Sequence, residues 1–328
     1  MNEVLDKKII GIDLGGTSAK FAILNQQGKI QEKWSIKTDT SNDGQLIVHD
    51  IIESIKQQLE LSELSTEDFI GIGMGSPGTV NQANGTVTGA YNLNWKNPQP
   101  IRQQIELAFG LPFFIDNDAN LAALGEQWLG AGNNEPDVVF VTLGTGVGGG
   151  LVSDKNVLRG AMDAAGEIGH LTIEINGYTC TCGKKGCLEQ YTSATGIERM
   201  ARDMADAFKN DSSLLKKKIE NGKTIDTKMI FDLAKENDKL ANKVVDRAAV
   251  YLGIALGNVA NLLNPSTIVL GGGVSKAGQF LAEKVNKEMQ HFLFPTIREY
   301  TKVRIAELGN DAGVIGAASL VLNELLKK

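Results

Sequence analysis

One histidine and three cysteines of this 328-residue chain have the spacing of a metal site. They follow one another in the order H-x9-C-x-C-x4-C, as His170, Cys180, Cys182 and Cys187. Three thiolates and one imidazole complete a tetrahedral set for Zn²⁺ and leave no open position for a catalytic water. The pattern therefore predicts a structural zinc knuckle over residues 170–187. Three buried thiols, or a redox pair, are the alternatives to zinc.

Two glycine-rich turns have the composition of phosphate-binding loops. The first is Asp13–Thr17 and the second runs from Thr142 to Gly146. Glycines let backbone N–H groups approach a phosphate closely, a threonine adds a hydroxyl donor, and Asp13 can organise Mg²⁺ through its water shell. Considered without the second turn, the first turn could also be a tight hairpin that follows an acidic residue at the end of a strand. Because a similar turn occurs at the same place in the second half of the chain, we expect the two turns to hold one ATP.

The second turn also contains the string GxGxxG, at Gly144–Gly149. A dinucleotide-binding fingerprint needs a helix directly after this string, whereas residues 150–154 have the pattern of a strand and a turn. The chain also lacks the GxxxxGK[ST] motif of P-loop proteins. Both of these nucleotide-binding folds are therefore excluded.

A candidate general base lies in the triplet Asp116-Asn117-Asp118, between a short strand and an apolar-periodic helix. Phosphoryl transfer to a hydroxyl needs a group that accepts the hydroxyl proton, and a carboxylate at a strand end can do this. The spacing alone also allows Asp118 to cap the helix, and Asp116 to cap it or to form the turn. An amide such as that of Asn117 offers a donor and an acceptor to sugar hydroxyls.

These motifs lie on an alternating series of strands and helices, which is typical of the α/β class. The periodicity predicts strands at 9–13, 21–24, 30–36, 70–74, 112–115, 138–143, 150–152, 267–270 and 302–306. It predicts helices at 43–61, 119–128, 239–263, 276–291 and 311–326. Each half opens with a strand, a glycine turn and a strand, which indicates a duplicated fold.

Composition narrows the possible partners and the compartment. The chain has 33 Lys and Arg against 39 Asp and Glu, for a formal charge of −6, so nothing favours nucleic acid or an anionic membrane surface. No apolar run approaches the roughly 18 residues of a membrane helix, and the polar start lacks a signal sequence. Three clustered cysteines suit a reducing compartment. We therefore expect a cytoplasmic protein.

The chain resembles the ROK family of repressors, open reading frames and kinases, within the actin, hexokinase and heat-shock ATPase superfamily. Among its members it is most similar to the bacterial ATP-dependent glucokinases. The similarity covers nearly the whole chain, in the motifs Asp13–Thr17, Gly75-Ser-Pro-Gly78, Asn92-Leu-Asn-Trp95, Asp116-Asn-Asp-Ala-Asn120, Leu143–Gly150, Gly166-Glu-Ile-Gly-His170, the cysteine cluster and Gly271-Gly-Gly273. The chain departs from the pattern at Asn94 and Trp95, where glucokinases often have small residues before the tryptophan.

The resemblance implies two ribonuclease-H-like α/β lobes around an interlobe cleft. The smaller lobe would comprise residues 1–118 and about 311–328, and the larger lobe residues 119–310 with the zinc knuckle. It also implies a homodimer.

The activity that the resemblance implies is ATP-dependent phosphorylation of glucose to glucose 6-phosphate, with Asp118 as general base and Mg²⁺ on the phosphates. It implies sugar contacts from Gly75, Ser76, Gly78, Asn92, Asn117, Asp118, Glu167, His170 and Glu189. The nucleotide residues would be Asp13, Gly15, Gly16, Thr17, Lys20, Thr142, Gly144, Thr145, Gly146, Gly271, Gly272 and Gly273. Without the family motifs, Glu167 and Glu189 would be interpreted as surface charges. Gly271–Gly273 would then be interpreted as a strand-to-helix turn.

Three other functions are considered. Another hexose or amino-sugar kinase, for N-acetylmannosamine, fructose or allose, would share the hydroxyl contacts. A sugar-responsive repressor or sensor would need a helix-turn-helix ahead of the first strand, which begins by Ile9 on an acidic chain. A zinc hydrolase would need an open coordination position that the His/Cys₃ set lacks.

Overall fold

The computed structural model describes residues 7–209 and 212–327, and its contacts divide the chain into two compact units. The first unit contains the chain up to Pro136, Gly150–Ala165 and the chain from Asn310. The second unit contains Asp137–Gly149 and Gly166–Gly309. Strands and helices alternate in both units, and the predicted α/β class is confirmed.

The strands are β1 (Lys8–Leu14), β2 (Ser18–Leu24), β3 (Ile30–Lys37), β4 (Phe69–Ser76), β5 (Thr79–Asn81), β6 (Thr86–Thr88), β7 (Phe113–Asn117), β8 (Val138–Leu143), β9 (Val147–Ser153), β10 (Asn156–Val157), β11 (Thr267–Gly271) and β12 (Lys302–Ile305). The helices are α1 (Ile47–Leu61), α2 (Ile101–Phe109), α3 (Asp118–Leu129), α4 (Glu189–Thr192), α5 (Ala194–Ala207), α6 (Leu214–Glu220), α7 (Thr227–Lys235), α8 (Lys239–Leu263), α9 (Gly272–Ser275), α10 (Gln279–Met289) and α11 (Ala312–Leu326). None of the described helices is long and apolar enough to cross a lipid bilayer.

The first sheet has the strand order β3-β2-β1-β4-β7. The hairpin strands β1 and β2 are antiparallel, whereas β1, β4 and β7 run parallel. Because parallel strands end at the same edge, Asp13 lies opposite Gly75, and Gly75 lies opposite Asp116. The register therefore brings three of the sequence motifs to one edge of the sheet.

Helix α11 packs closely on this sheet because glycines face it. A Cβ on Gly11 would lie 2.3 Å from the carbonyl oxygen of Val314, and a Cβ on Gly73 would lie 2.1 Å from that of Ala317. At the first turn of the helix, a Cβ on Gly313 would lie 2.7 Å from Cγ of Asp13. The close approach thus places the start of α11 beside the Asp13 carboxylate.

The second sheet has the order β10-β9-β8-β11-β12, the same arrangement of hairpin strands followed by parallel strands. Strand β9 passes from the second unit into the first at Gly150. Strands β8 and β11 are parallel, with Thr142 opposite Gly271. The repeated strand, turn and strand pattern of the sequence corresponds to this shared topology.

Two predicted helices begin later than the periodicity indicated. The helix expected from residue 43 starts at Ile47, because Asp43 has a left-handed φ of 57° within a short 3₁₀ turn. The helix expected from residue 276 starts at Gln279, because Gly278 has a φ of 73°. In both cases the apolar sequence pattern continues through a residue with a positive φ, and the helix begins only after that residue.

Candidate active site and metal centre

The first glycine-rich turn joins β1 to β2, and both backbone groups of Gly15 are hydrogen-bonded. The backbone N–H of Gly15 donates to the Ser18 carbonyl at 3.0 Å, and the Thr38 hydroxyl donates to the Gly15 carbonyl at 2.7 Å. A Cβ on Gly16 would lie 3.1 Å from the carbonyl oxygen of Asn92, so the turn packs directly against that loop. The structure therefore places predicted nucleotide and sugar residues next to each other.

Two predicted nucleotide residues of this unit pair with each other. Nζ of Lys20 lies 3.3 Å from Oδ2 of Asp13, and the two side chains are 39% and 22% exposed. A partly exposed pair of this kind adds little stability, so its two groups can exchange partners when a phosphate or a cation arrives.

In the Gly75–Gly78 segment, backbone groups rather than the Ser76 hydroxyl are available to a ligand. Ser76 is fully buried, and its Oγ donates to the carbonyl of Pro77 at 3.0 Å. Gly78 has a φ of 91°, and its carbonyl accepts from Nδ2 of Asn117 at 3.3 Å. This contact joins two of the predicted sugar residues.

The helix cap at the start of α3 is Asn117. Its Oδ1 accepts from the backbone N–H of Ala119 at 2.9 Å, and Oδ1 of Asp118 accepts from the same group at 2.8 Å. Asp116 does not cap the helix, because it points into the interior, is 2% exposed and pairs with Arg159. Of the three polar residues, Asp118 is the one whose carboxylate reaches solvent.

The Asp118 side chain is exposed at the surface, but many protein atoms lie around it. The resulting desolvation raises the pKa of Asp118 above its ordinary value, and the negative charge of Asp13 raises it further, against the hydrogen bond from the Ala119 backbone. A carboxylate with a raised pKa is a stronger base, which suits a group that must accept a hydroxyl proton.

The second glycine-rich turn, between β8 and β9, is braced by the start of α5. The N–H of Gly144 donates to the carbonyl of Gly146 at 2.9 Å, which closes the turn. The Gly144 carbonyl in turn accepts from the N–H of Ala194 at 2.8 Å, and the Thr145 carbonyl accepts from the Thr195 hydroxyl at 3.3 Å. These bonds connect the loop to the start of α5.

The predicted sugar residue Glu189 also contacts this turn. Its Oε2 accepts a hydrogen bond from the backbone N–H of Val147 at 3.0 Å, and a Cβ on Gly146 would lie 2.6 Å from the same oxygen. Glu189 is half-buried, so it is not the free surface charge that its sequence context alone allowed.

The Gly271–Gly273 segment forms the strand-to-helix turn from β11 into α9, at the same sheet edge as Thr142. Gly272 has a φ of 84°, and a Cβ there would lie 2.5 Å from the Leu143 carbonyl oxygen. A Cβ on Gly273 would meet no atom within 4 Å. The segment therefore packs tightly against β8 at Gly272 and leaves open space at Gly273.

The predicted zinc ligands come together in the second unit. One ligand atom from each of His170, Cys180, Cys182 and Cys187 lies within 4.8 Å of all the others. Nδ1 of His170 is 3.7 Å from Sγ of Cys180, and the sulfurs of Cys182 and Cys187 are 3.6 Å apart. Tetrahedral ligands at a Zn–S distance of about 2.3 Å are separated by about 3.8 Å, so this geometry fits the ion.

The chemistry of this donor set also calls for a cation. Burial raises the pKa of Cys187 to about 12, and the neighbouring thiols contribute to the increase, whereas hydrogen bonds from Cys182, Cys187 and His170 outweigh burial and lower the pKa of Cys180 to about 6. Three crowded sulfurs become thiolates together when a metal ion compensates their charge. Because Nδ1 of His170 faces the cysteines, its Nε2 is left for other partners and lies 3.9 Å from Oε2 of Glu167.

Comparison with known proteins identifies the group of proteins to which this sequence is related. The model of the ROK family matches residues 9–324. The chain belongs to the ROK family. A curated glucokinase of Halalkalibacterium halodurans is 43% identical over 317 residues, which cover 96% of this chain and 95% of that protein.

Two crystal structures have the same fold. The ROK hexokinase of Thermus thermophilus is 31% identical with a TM-score of 0.81, over 98% of this chain and 100% of that one. A ROK glucokinase of Streptomyces griseus, in complex with glucose and AMPPNP, is 33% identical with a TM-score of 0.74, over 96% of this chain and 99% of that one. The resemblance to ROK kinases that the sequence indicated is confirmed.

Several residues outside the sequence motifs support the two glycine-rich turns and Asp116, and the motifs did not indicate them. Thr38 holds the first turn, residues 193–195 hold the second, and Arg159 pairs with Asp116. A serine followed by a helical pattern is a recognisable cap signal, and Ser193 does cap α5 by accepting from Gly196. Nothing in the local sequence around Arg159 indicates its partner, which is 43 residues away.

Proposed function

We propose that this protein is an ATP-dependent glucokinase, which transfers the γ-phosphoryl group of Mg·ATP to the 6-hydroxyl of glucose. The observation that carries the proposal is the solvent-facing carboxylate of Asp118, with its raised pKa, at the sheet edge that also ends in the Asp13–Thr17 turn. The glucokinase relatives, one of them crystallised with glucose and AMPPNP, support this choice of reaction.

In this proposal Asp118 is the general base. The backbone N–H of Ala119 occupies its Oδ1, so Oδ2 is left to accept the proton of the sugar hydroxyl as the O–P bond forms. Protonation of Asp118 also relieves the desolvated charge, which favours proton transfer in the direction of phosphorylation.

The remaining sugar hydroxyls would be bound by polar side chains and by backbone groups. Asn117 uses its Nδ2 and one lone pair of Oδ1 within the protein, which leaves a second lone pair as an acceptor. Glu189 similarly keeps its Oε1 free of the Val147 bond. The other proposed contacts are Glu167, Nε2 of His170, Asn92, and the backbone of Gly75, Ser76 and Gly78.

The nucleotide would be held by the two glycine-rich turns. Their backbone N–H groups face the phosphates, with the hydroxyls of Thr17 and Thr145 and the ammonium of Lys20 as further donors. The open surface at Gly273 would pack against adenine or ribose. Mg²⁺, organised through water by Asp13, would supply the charge neutralisation that phosphoryl transfer requires.

Zinc has a structural role in this proposal. The ion would be bound by His170 and the three cysteines, and it would hold Glu167 and the imidazole in a fixed relation to each other. Two residues after the last zinc ligand, Cys187, the chain reaches Glu189. The metal would thus orient sugar-binding groups without taking part in phosphoryl transfer.

A homodimer is part of the proposal, because the family resemblance implies one, and light scattering of the purified protein tests it. The negative net charge supports small-molecule substrates rather than nucleic acid.

The proposal is tested by ADP release with Mg·ATP across glucose, mannose, fructose, N-acetylglucosamine and N-acetylmannosamine. We expect turnover to be dominated by glucose. A preference for another sugar would identify that sugar as the substrate and leave the proposed reaction unchanged. Binding of sugars without ADP release would indicate a sensor.

A further inference from the structure

Asp116 is a buried carboxylate that the proposed reaction does not use. It lies at the end of β7, directly before Asn117 and Asp118, and is 2% exposed. Its Oδ1 accepts from the backbone N–H of Asn117 and from Nδ2 of Asn120, both at 2.8 Å. Asp116 therefore holds the chain on both sides of Asp118.

The positive partner of Asp116 is Arg159. Nε of Arg159 donates to Oδ2 of Asp116 at 2.8 Å, and the arginine side chain is 17% exposed. The arginine lies in a loop that is fixed by backbone bonds from Leu158 to Leu151 and from Ala165 to Arg159. Its Nη2 also lies 3.5 Å from Oε1 of Glu324 on α11.

A buried carboxylate keeps its charge and its hydrogen bonds when a cation lies beside it. Removal of the cation leaves an uncompensated charge in the interior, and the site then admits water or rearranges. Each of these changes would weaken the two bonds that Oδ1 of Asp116 accepts. The first turn of α3, which carries Asp118, would then lose its anchor.

We propose that Arg159 is a positioning residue for the general base, which acts by pairing with Asp116 and so fixing the turn from β7 into α3. This inference rests on the proposed role of Asp118 in phosphoryl transfer. Arg159 does not act as an acid or a base. It fixes the direction in which the Asp118 carboxylate faces the reacting hydroxyl.

The inference predicts a specific kinetic signature. A displacement of about 1 Å of a reacting group can reduce the rate by about 10²-fold, so loss of Arg159 lowers kcat strongly. The nucleotide turns have their own supporting bonds, from Thr38 and from residues 193–195, so KM for ATP stays within about threefold.

The test compares Arg159→Met, Arg159→Lys and the control Glu324→Gln. Rates are divided by the folded fraction, measured by circular dichroism at the assay temperature. We expect kcat to fall about 100-fold in Arg159→Met, to be intermediate in Arg159→Lys, which keeps the charge, and to be unchanged in Glu324→Gln. Folded Arg159→Met or Arg159→Lys protein with the wild-type kcat would overturn the inference, as would a loss of rate fully explained by unfolding.

A second readout does not depend on turnover. Hydrogen exchange without ligands should become faster in a peptide that covers residues 113–121 of Arg159→Lys, while the β1–β2 hairpin keeps its wild-type exchange. Unchanged exchange in residues 113–121 would overturn the positioning role. If the wild-type protein phosphorylates no sugar, the proposed function is wrong. The exchange result would still decide whether Arg159 orders the turn from β7 into α3.

Discussion

Oε2 of Glu189 accepts a hydrogen bond from the backbone N–H of Val147 at 3.0 Å. Glu189 begins the short helix α4, two residues after a predicted zinc ligand, whereas Val147 is the first residue of β9, directly after the second glycine-rich turn. One carboxylate therefore connects the residues proposed to bind the sugar with the turn proposed to bind phosphate.

Substitution of Glu189 should separate these two roles. Glu189→Gln keeps an oxygen for Val147 but loses the charge that we propose faces the sugar, so we expect a higher KM for glucose and a nearly unchanged KM for ATP. Glu189→Ala also frees the Val147 N–H, so we expect KM for ATP to rise as well, by up to about tenfold. Steady-state kinetics with each substrate varied measure both effects. If Glu189→Ala raises KM for glucose alone, the hydrogen bond to Val147 does not support the nucleotide turn.

Asp118→Asn should reduce activity and increase stability. An amide cannot accept the hydroxyl proton, and loss of a general base lowers kcat by about 10²–10⁴-fold. Folding raises the pKa of Asp118, so the folded protein keeps a proton at a pH where the unfolded chain has lost it. Ionisation of Asp118 therefore destabilises the folded state as the pH rises through the folded-state pKa, and this effect is absent below the unfolded-state pKa.

Thermal unfolding of both proteins across pH measures this effect. We expect Asp118→Asn to have the higher Tm at neutral and alkaline pH, and the difference to disappear in acid. A lower Tm of Asp118→Asn at every pH would show that the carboxylate is stabilising and contradict its desolvation.

The pH dependence of catalysis should follow the same group. Asp118 must be ionised to act as a base, and because its pKa is raised, kcat should begin to fall at a higher pH than it would for an aspartate with the ordinary pKa of about 3.9. The profile is measured at saturating Mg·ATP, so that ionisation of free nucleotide does not contribute. A kcat that stays constant down to pH 4 in folded protein would exclude a base with a raised pKa.

Removal of zinc should weaken the binding of the sugar more than the binding of the nucleotide. We expect one zinc per chain by elemental analysis, and we expect Cys187→Ala to lose the metal, unfold at a lower temperature and raise KM for glucose about tenfold, with little change for ATP. Thr181→Ala, between two of the cysteines, is the matched control and should keep metal and kinetics. Full glucose affinity in metal-free, folded Cys187→Ala would show that the metal does not support sugar binding.

Much of the fold could be predicted because its strands are short buried runs that end in glycine turns. Residues 138–143 were predicted as a strand and form β8 with the same bounds, and residues 239–263 form α8 as predicted. The hairpin turn Asp13–Thr17 and the clustering of the four predicted zinc ligands could be predicted because each lies in a short segment of sequence.

Contacts between distant segments could not be predicted in the same way. The triplet Asp116-Asn117-Asp118 contains three polar residues with similar capping ability, and the local sequence does not show which of them faces the interior. That choice depends on Arg159 and on Asn120, which surround Asp116 in the fold. The hydrogen bond between Glu189 and Val147 depends likewise on packing across 42 residues of sequence.

Product identity tests most directly whether Asp118 directs the γ-phosphoryl group of ATP to the 6-hydroxyl of glucose. We would incubate wild-type and Asp118→Asn protein with Mg·ATP and ¹³C-labelled glucose and identify the product by ¹³C and ³¹P nuclear magnetic resonance. We expect glucose 6-phosphate from the wild type, with formation at least about 100-fold slower from the folded variant. A sugar phosphorylated at another position, no sugar phosphate at all, or equal rates for the two proteins would contradict this expectation.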